Sequence, residues 1–226
     1  MIPFIYEKKL TRRGFKLVAG VDEVGRGPLA GPIVAAAVIL PLDCSLPDLD
    51  DSKKLAPQKR EKVFYQIKRC AIGIGVAFVN HKRIDQINIG RANLLAMKIA
   101  VEKLKVAPDF LLVDGERNKI DLSIPQRGIS GGDRRCASIA AASIIAKVMR
   151  DRWMVKYHEK FPHYGFLRHK GYGTREHMQK LAKYGPCPIH RRSFFPVSSL
   201  PAGRQAFFNW LDIPGYGLLH FKNKRR

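Results

Sequence analysis

Four acidic residues occupy positions that suggest shared chemistry: Asp22, Glu23, Asp114 and Asp133. The first two are adjacent at the end of an apolar segment, the third follows another apolar segment, and the fourth precedes a stretch rich in alanine. An unpaired carboxylate is expensive to bury, so a buried group of them needs a compensating cation. Carboxylates without a His or Cys cluster suit hard ions such as Mg²⁺ or Mn²⁺, and two such ions about 3.5–4 Å apart support in-line displacement at a phosphodiester.

Each aspartate alone also has an ordinary explanation, as a turn former or a helix cap. This alternative is strongest for Asp133, which stands just ahead of a predicted helix. The four residues together, in a chain with only 19 Asp and Glu, favour the metal site.

Two glycine-containing segments could contact a ligand. Gly25-Arg26-Gly27 fails the dinucleotide-binding pattern, because Pro28 and a second apolar segment follow where a helix should begin. Two interpretations stay open: a turn whose amides and Arg26 approach a ligand, or a turn that needs positive φ at one glycine. In residues 169–174, Tyr172 could pack on a sugar or base while Lys170 meets a phosphate, or the segment could be an ordinary surface loop.

The composition favours a polyanionic partner. The 226 residues include 41 Lys and Arg, and the net charge is +22. No apolar run is long enough to span a bilayer and the N-terminus lacks a signal-peptide pattern, so we expect nucleic acid rather than a membrane. The candidate phosphate contacts include Lys53, Lys54 and Lys170.

The cysteines predict neither a zinc site nor a disulfide framework. They are widely spaced and form no Cys-x-x-Cys pair: Cys44, Cys70, Cys136 and Cys187. We therefore expect ordinary thiols in a reducing cytoplasm.

The apolar pattern predicts a mixed α/β sheet with helices on its faces. Its centre is a hairpin over residues 16–40, two buried strands joined by the glycine turn. We predict further strands at 71–79, 110–114 and 120–124, and helices at 58–69, 84–105 (beginning near Asn88), 135–160 and 174–183. A boundary near residue 163 would separate a catalytic domain, 1–163, from a helical or irregular C-terminal segment, 164–226, that contributes to substrate binding.

A set of motifs, in order along residues 17–197, resembles the type 2 ribonuclease H family, ribonuclease HII. The motifs are Asp22-Glu-Val-Gly-Arg-Gly-Pro-Leu-Ala-Gly-Pro32, Asp51-Ser-Lys-Lys-Leu55, Leu112-Val-Asp-Gly115, Gly132-Asp133, Ala141-Ala-Ser-Ile-Ile-Ala-Lys147, Arg150-Asp151, His169-Lys-Gly-Tyr-Gly-Thr174, Pro188-Ile-His-Arg191 and Ser193-Phe194. Val24 departs from the family pattern, in which alanine is usual, and residues after about 198 match nothing in it.

The resemblance implies a ribonuclease H-like fold: a mixed five-stranded sheet flanked by helices, with a small helical C-terminal part. It implies an endonuclease that cuts the RNA strand of RNA–DNA hybrids and single ribonucleotides in duplex DNA, leaving 5′-phosphate and 3′-hydroxyl ends. By position, the metal ligands would be Asp22, Glu23, Asp114 and Asp133. Gly25, Arg26 and Gly27 would recognise the 2′-hydroxyl, and Tyr172 would stack on the following deoxyribose. We expect a monomeric, cytoplasmic, Mg²⁺- or Mn²⁺-dependent enzyme.

Two other classes of protein compete with this interpretation. A non-catalytic basic nucleic-acid-binding protein would have the same charge but no use for aspartates at strand ends, so the convergence of the carboxylates discriminates. A nucleotide-cofactor enzyme is disfavoured by the missing glycine pattern.

Overall fold

The elements follow the order that the sequence pattern predicts. The computed structural model describes residues 2–200, so the basic run at 222–226 and most of the unmatched tail lie outside the described residues. The strands are β1 (Val18–Val24), β2 (Ile33–Ile39), β3 (Gly73–Val79), β4 (Phe110–Asp114) and β5 (Gln126–Ile129). The helices are α1 (Ile5–Thr11), α2 (Pro57–Cys70), α3 (His81–Glu102), α4 (Ala137–Lys160), α5 (Phe166–His169) and α6 (Arg175–Tyr184).

The five strands form one mixed sheet in the order β3-β2-β1-β4-β5. β1 pairs antiparallel with β2 and β2 antiparallel with β3, whereas β1, β4 and β5 run parallel. Alternate residues of β2 enter two different apolar clusters, one shared with α2 and α4 and the other with α3. A strand buried on both faces has no polar alternation, which explains why its sequence is a continuous apolar run.

Small residues allow α4 to approach the sheet closely. Its first ten residues are fully buried alanines, serines and isoleucines. On the facing strand, a Cβ at Gly20 would overlap the backbone of Ser138. The alanine-rich sequence therefore has a structural cause: it brings the helix onto the strand that carries Asp22 and Glu23.

α3 consists of two helical segments that meet at Asn88. This residue has φ 64° and ψ 166°, outside the helical region, and its side chain accepts a hydrogen bond from the backbone of Arg91 (3.0 Å). Asn80 caps the first segment in the same way, through the backbone N–H of Arg83. The predicted start near Asn88 is therefore the start of the second segment, and the first begins earlier than predicted.

α1 lies in a part of the sequence that gave no periodic signal. Its buried Leu10 packs in a cluster with Val18 and Phe110. The carboxylate of Glu7 accepts hydrogen bonds from the backbone N–H of Ser138 (2.8 Å) and the thiol of Cys136 (3.1 Å), at the N-terminus of α4. These contacts are long-range, which explains why local periodicity did not reveal the helix.

Two sequence predictions were wrong. The last strand lies at Gln126–Ile129 and not at 120–124, because the Gln126 side chain bonds both the N–H and the C=O of Ile120 and holds that segment in a turn. The structure also joins Cys44 to Cys70 in a disulfide. Their loop and the end of α2 meet in space, although 26 positions separate them in sequence. The other two cysteines are free and buried, as expected.

The residues after α4 pack back onto the main sheet layer. Tyr164, Phe166, Cys187 and Ile189 form an apolar cluster with Met154 of α4 and with Ala30 of the glycine-rich turn. The boundary at residue 163 stays a prediction. Within residues 2–200, no helix is both long enough and apolar enough to cross a membrane.

Candidate active site

Two of the predicted carboxylates meet because of strand register. β1 and β4 are parallel neighbours with Val21 opposite Val113, so the next positions, Asp22 and Asp114, lie side by side. Alternate residues of a strand share a face, so Leu112 and Asp114 lie on the same face of β4. Leu112 packs in one apolar cluster with Ile139 of α4. Both aspartates therefore lie on the α4 face of the sheet, one strand spacing apart.

Glu23 joins them despite its position. Adjacent residues of a strand point to opposite faces, so strand periodicity would separate Glu23 from Asp22. Nevertheless, carboxylate oxygens of Asp22, Glu23 and Asp114 all lie within 4.8 Å of one another. Glu23 is the second-last residue of β1, and its side chain is one methylene longer than that of an aspartate.

The three carboxyl groups resist ionisation. Burial raises the pKa of Asp22 well above its usual value, and the carboxylates of Glu23 and Asp114 raise it further. Burial also raises the pKa of Glu23 to about 7, although Arg26, whose guanidinium lies 3.6 Å from Glu23, opposes this. Burial likewise raises the pKa of Asp114, against the hydrogen bond that its Oδ1 accepts from the N–H of Gly132 (2.7 Å). Such crowding of anionic groups disfavours the ion-free, fully ionised state.

The donor set fits a divalent cation. Oε2 of Glu23 is buried and has no hydrogen-bond partner among the described residues. Hard oxygen ligands of this kind are what Mg²⁺ and Mn²⁺ prefer. An unpartnered carboxylate oxygen beside two other carboxylates is thus explained by a cation that the three would hold together.

Asp133 lies beside this group. It occupies the short 3-10 turn Gly132–Arg134, is buried, and contributes a charge that raises the pKa of Asp114. Its Oδ2 lies 3.4 Å from Nζ of Lys53. The structure thus brings Asp22, Glu23 and Asp114 into one cluster and puts Asp133 at its margin, paired with a lysine.

The carboxylates open into a cleft of about 420 Å³. Its lining includes Lys53, Lys147 and Arg60, together with the half-exposed ring of Tyr172. Lys54 and Lys170 are not among the lining residues, and Nζ of Lys170 donates to the carbonyl of Leu167. A basic cleft with acidic residues at its floor has the charge distribution expected of a site for a polyanion that also holds cations.

The glycine turn faces Tyr172. Gly25 has φ +99°, which agrees with the interpretation that the turn needs a positive φ at one glycine. A Cβ there would also overlap the side chain of Arg150. A Cβ at Gly27 would meet only Tyr172, whose Cε1 would lie 3.9 Å away. The turn therefore has a conformational reason for one glycine, while the other borders an open space opposite the tyrosine.

Two buried arginines hold this turn from below. Arg191 donates to the carbonyls of Gly25 (2.6 Å), Arg26 (2.9 Å) and Gly31 (3.0 Å). A trans peptide directs its C=O and N–H groups oppositely, so the amides of Arg26 and Gly27 point away from this guanidinium. Burial, and then the nearby cation of Arg150, lower the pKa of Arg191 to about 9.

Arg150 makes the matching contacts to the other side of the turn. Its guanidinium donates to the carbonyls of Ala30, Pro32 and Lys170, and lies 5.8 Å from the centre of the Tyr172 ring. It thereby ties the turn to the segment that carries the tyrosine.

Several cleft residues had no role in the sequence prediction. The Ser143 hydroxyl lowers the pKa of Asp22 and lies 3.0 Å from the hydroxyl of Ser52. Lys147 lines the cleft and pairs with Asp151 at 2.8 Å. A signal was present, since these polar residues interrupt apolar helix α4 or lie in the 51–55 segment, but it did not say which way they point.

A mixed five-stranded sheet with carboxylates on its two central parallel strands, at the floor of a basic cleft, defines a nuclease of the ribonuclease H-like fold. Convergence of the carboxylates is the observation that disfavours a purely binding protein. Comparison with known proteins agrees with this class. The profile of the Ribonuclease HII family matches residues 19–197.

Ribonuclease HII of Geobacter metallireducens is 55% identical over 189 residues, which cover 84% of this chain and 88% of the relative. Ribonuclease HII of Syntrophus aciditrophicus is 55% identical over 200 residues, or 88% and 94% of the two chains. The crystal structure of ribonuclease H2 from Pyrococcus horikoshii superposes with a TM-score of 0.70 at 28% identity, covering 81% of this chain and 96% of that one. The chain belongs to the ribonuclease HII family and is a ribonuclease H; the family cleaves the RNA strand of RNA–DNA hybrids.

Proposed function

We propose that this ribonuclease H is a metal-dependent endonuclease that also cuts single ribonucleotides embedded in duplex DNA, leaving 5′-phosphate and 3′-hydroxyl ends. One observation carries the proposal: three carboxylates, one buried and two half-buried, converge within 4.8 Å at the floor of a cleft, opposite a glycine turn and a tyrosine. This arrangement suits a reaction at one phosphodiester next to one sugar.

Asp22, Glu23, Asp114 and Asp133 would hold Mg²⁺ or Mn²⁺. When bound, two such ions would make water a stronger nucleophile and stabilise charge on the leaving 3′-oxygen. Asp22 and Asp114 would fix the geometry, because they are attached to paired strands whose backbones cannot shift independently. None of the cleft-lining residues in the described part of the chain is a histidine, which agrees with a reaction that uses no imidazole as general base.

The glycine turn and Tyr172 would select the sugar. A 2′-hydroxyl both donates and accepts hydrogen bonds, and it marks RNA at a given position. The turn offers backbone groups, with Arg26 beside them, across a gap from the Tyr172 ring. A deoxyribose would pack on that ring, whereas a further 2′-hydroxyl would crowd the contact. This supports recognition of the junction from ribose to deoxyribose.

Basic residues would bind the phosphate backbone. Lys53 is well placed because it already borders the carboxylates, and its ammonium is largely exposed. Lys54 and Lys170 would act further from the reacting phosphate, since neither lines the cleft. We propose that the enzyme acts as a monomer in the cytoplasm.

The test uses three labelled duplexes of one sequence: all DNA, DNA with one ribonucleotide, and a continuous RNA–DNA hybrid. Each is incubated with the protein in EDTA, Mg²⁺ or Mn²⁺, and the ends are mapped. We expect no cleavage in EDTA or of all-DNA duplex, and cleavage of both other substrates with either metal. Cleavage of the hybrid but not of the single-ribonucleotide duplex would refute junction recognition alone, whereas metal-independent cleavage would refute the role of the carboxylates.

A further inference from the structure

Three histidines lie directly behind Tyr172, buried and outside the cleft lining: His169, His177 and His190. Nδ1 of His177 lies 2.9 Å from the carbonyl oxygen of Tyr172, and Nε2 of His177 lies 3.0 Å from Nε2 of His190. Nδ1 of His190 in turn lies 3.0 Å from the backbone nitrogen of Cys187 and 3.2 Å from its thiol. The contacts form a continuous chain that ends on the backbone of the cleft tyrosine.

The chemistry of these contacts fixes the tautomer of each ring. A carbonyl oxygen only accepts, so Nδ1 of His177 carries the proton and Nε2 of the neutral ring is an acceptor. His190 must then donate from Nε2, which leaves its Nδ1 to accept from the N–H of Cys187. Nδ1 of His190 also lies 3.3 Å from the carbonyl oxygen of Cys187, but this longer contact is not a hydrogen bond when the nitrogen accepts from the N–H. The shorter contacts at the two ends agree on one set of neutral tautomers.

His169 supports the same segment from the other side. Its Nε2 donates to the carbonyl of Tyr164 (2.7 Å), and its Nδ1 accepts from the N–H of Gly171 (3.2 Å). The ring stacks on His177, with centroids 4.4 Å apart and planes 13° apart. Burial lowers the pKa of both His169 and His177, which keeps the stacked rings neutral.

The segment needs this support because its backbone is unusual. Lys170 and Gly171 have consecutive positive φ values of +50° and +86°, and the first of these is strained for a residue with a side chain. The carbonyl of Gly171 accepts from Leu29 (2.8 Å), next to the glycine turn. Histidine contacts on both sides of Tyr172 therefore add to these in holding its backbone opposite that turn.

We propose that His177, with His190 behind it and His169 stacked on it, is a positioning residue that holds Tyr172 against the ribose–deoxyribose junction. The inference rests on the proposed function, because Tyr172 acts there as the sugar-contacting group. His177 touches neither the substrate nor the carboxylates; it acts through the Tyr172 carbonyl. The alternative is that His177 is an ordinary buried histidine that contributes only to stability. The positioning role and the purely structural role predict different activities for variants that keep only one of the two ring-nitrogen contacts.

Two substitutions separate the nitrogens. His177→Asn places an amide N–H near the position of Nδ1, so it keeps the bond to Tyr172 and loses His190. His177→Gln places its amide near Nε2, so it keeps His190 and loses Tyr172. Each variant loses one of two bonds, so their urea midpoints should fall by similar amounts. His163→Asn and His163→Gln, at an exposed histidine of the neighbouring turn, are the matched controls.

The expected result is a split in kcat on the single-ribonucleotide duplex. His177→Gln should reduce kcat about tenfold, the effect of one misplaced hydrogen bond, while His177→Asn stays near the wild type. The KM for duplex and the Mg²⁺ requirement should change little in both. In a Tyr172→Ala background, His177→Gln should have no further effect, because the ring that His177 positions through the backbone has been removed.

The tautomers have a readout that does not need activity. Long-range ¹H–¹⁵N correlation on histidine-labelled protein should show Nδ1–H for His177 and Nε2–H for His169 and His190. Any other tautomer at His177 would overturn the proposal. So would equal kcat values for the Asn and Gln variants, or an undiminished effect of His177→Gln in the Tyr172→Ala background. A wild type that cleaves no ribonucleotide-containing duplex would instead refute the proposed function and, with it, the positioning role.

Discussion

Replacement of Arg191 by lysine should loosen the glycine turn while it keeps a long basic side chain at this position. The guanidinium of Arg191 donates through three nitrogens to the carbonyls of Gly25, Arg26 and Gly31. The single nitrogen of a lysine lacks this planar spread, and we expect it to keep one of the three bonds. Two charge-assisted bonds are lost, at about 1.5 kcal/mol each at the low end, so the free energy of unfolding should fall by about 3 kcal/mol. A domain with about 5–15 kcal/mol of stability stays folded after such a loss.

The assay is urea unfolding together with cleavage kinetics. With an m-value of about 1–3 kcal/mol per molar urea, the midpoint should fall by roughly 1–3 M at unchanged m. The rate on the single-ribonucleotide duplex should fall as well, because the turn that faces Tyr172 is less fixed. Arg192→Lys is the matched control, since Arg192 is the next residue in the chain and its side chain is exposed. If both variants unfold at the same urea concentration and cleave at the same rate, Arg191 does not hold the turn.

Four further outcomes test other parts of the structure. Asp22→Asn and Asp114→Asn should each reduce cleavage by orders of magnitude across Mg²⁺ and Mn²⁺ titrations, and near-normal turnover would exclude them from the mechanism. Neither should lower the melting temperature in EDTA, because each removes a charge from a crowded cluster. The buried histidines should lower stability as the pH drops below about 6.5, because burial lowers the pKa of His177 to about 4 and of His190 to about 3, so at these groups the unfolded chain binds more protons. The raised pKa values of the clustered carboxyl groups act in the opposite direction, so urea midpoints at pH 7 and pH 5 are compared between the wild type and His177→Asn; a loss on acidification that is as large in the variant would contradict this. Gly20→Ala should destabilise the fold strongly, because its Cβ would overlap the α4 backbone, and a normal thermal melt would show that α4 can move away from β1. The affinity for duplex should fall as the salt concentration rises. In a plot of log affinity against log salt concentration, each neutralised phosphate contributes roughly −0.9 to the slope, and a flat plot would argue against phosphate contacts.

The sequence by itself determined the class of the fold and most of its elements. Continuous apolar runs identified the buried strands, since residues buried on both faces need no polar alternation. Alanines in α4 predicted close packing on the sheet, which Gly20 completes. The aspartates at strand ends and the glycines of the turn were selected as candidates from the sequence, although each alone has an ordinary explanation in a turn or a cap; their combination in a basic chain favoured a metal site.

Elements that depend on distant contacts gave weaker local signals. α1 is stabilised by packing against β1 and β4 and by Glu7 at the start of α4, none of which is visible in residues 1–15. β5 is a short edge strand with polar residues, and the more apolar segment before it was predicted in its place. The Cys44–Cys70 disulfide likewise depends on where α2 ends relative to a loop.

Only the tertiary structure decided how the site is assembled. Parallel pairing in register sets Asp22 beside Asp114, while Glu23, which strand periodicity would send to the other face, reaches the same cluster. The Arg191 contacts and the histidine chain behind Tyr172 join residues far apart in sequence. Side-chain type and local period are properties of short segments, but register, reach and hydrogen-bond partners depend on which segments the whole chain brings together.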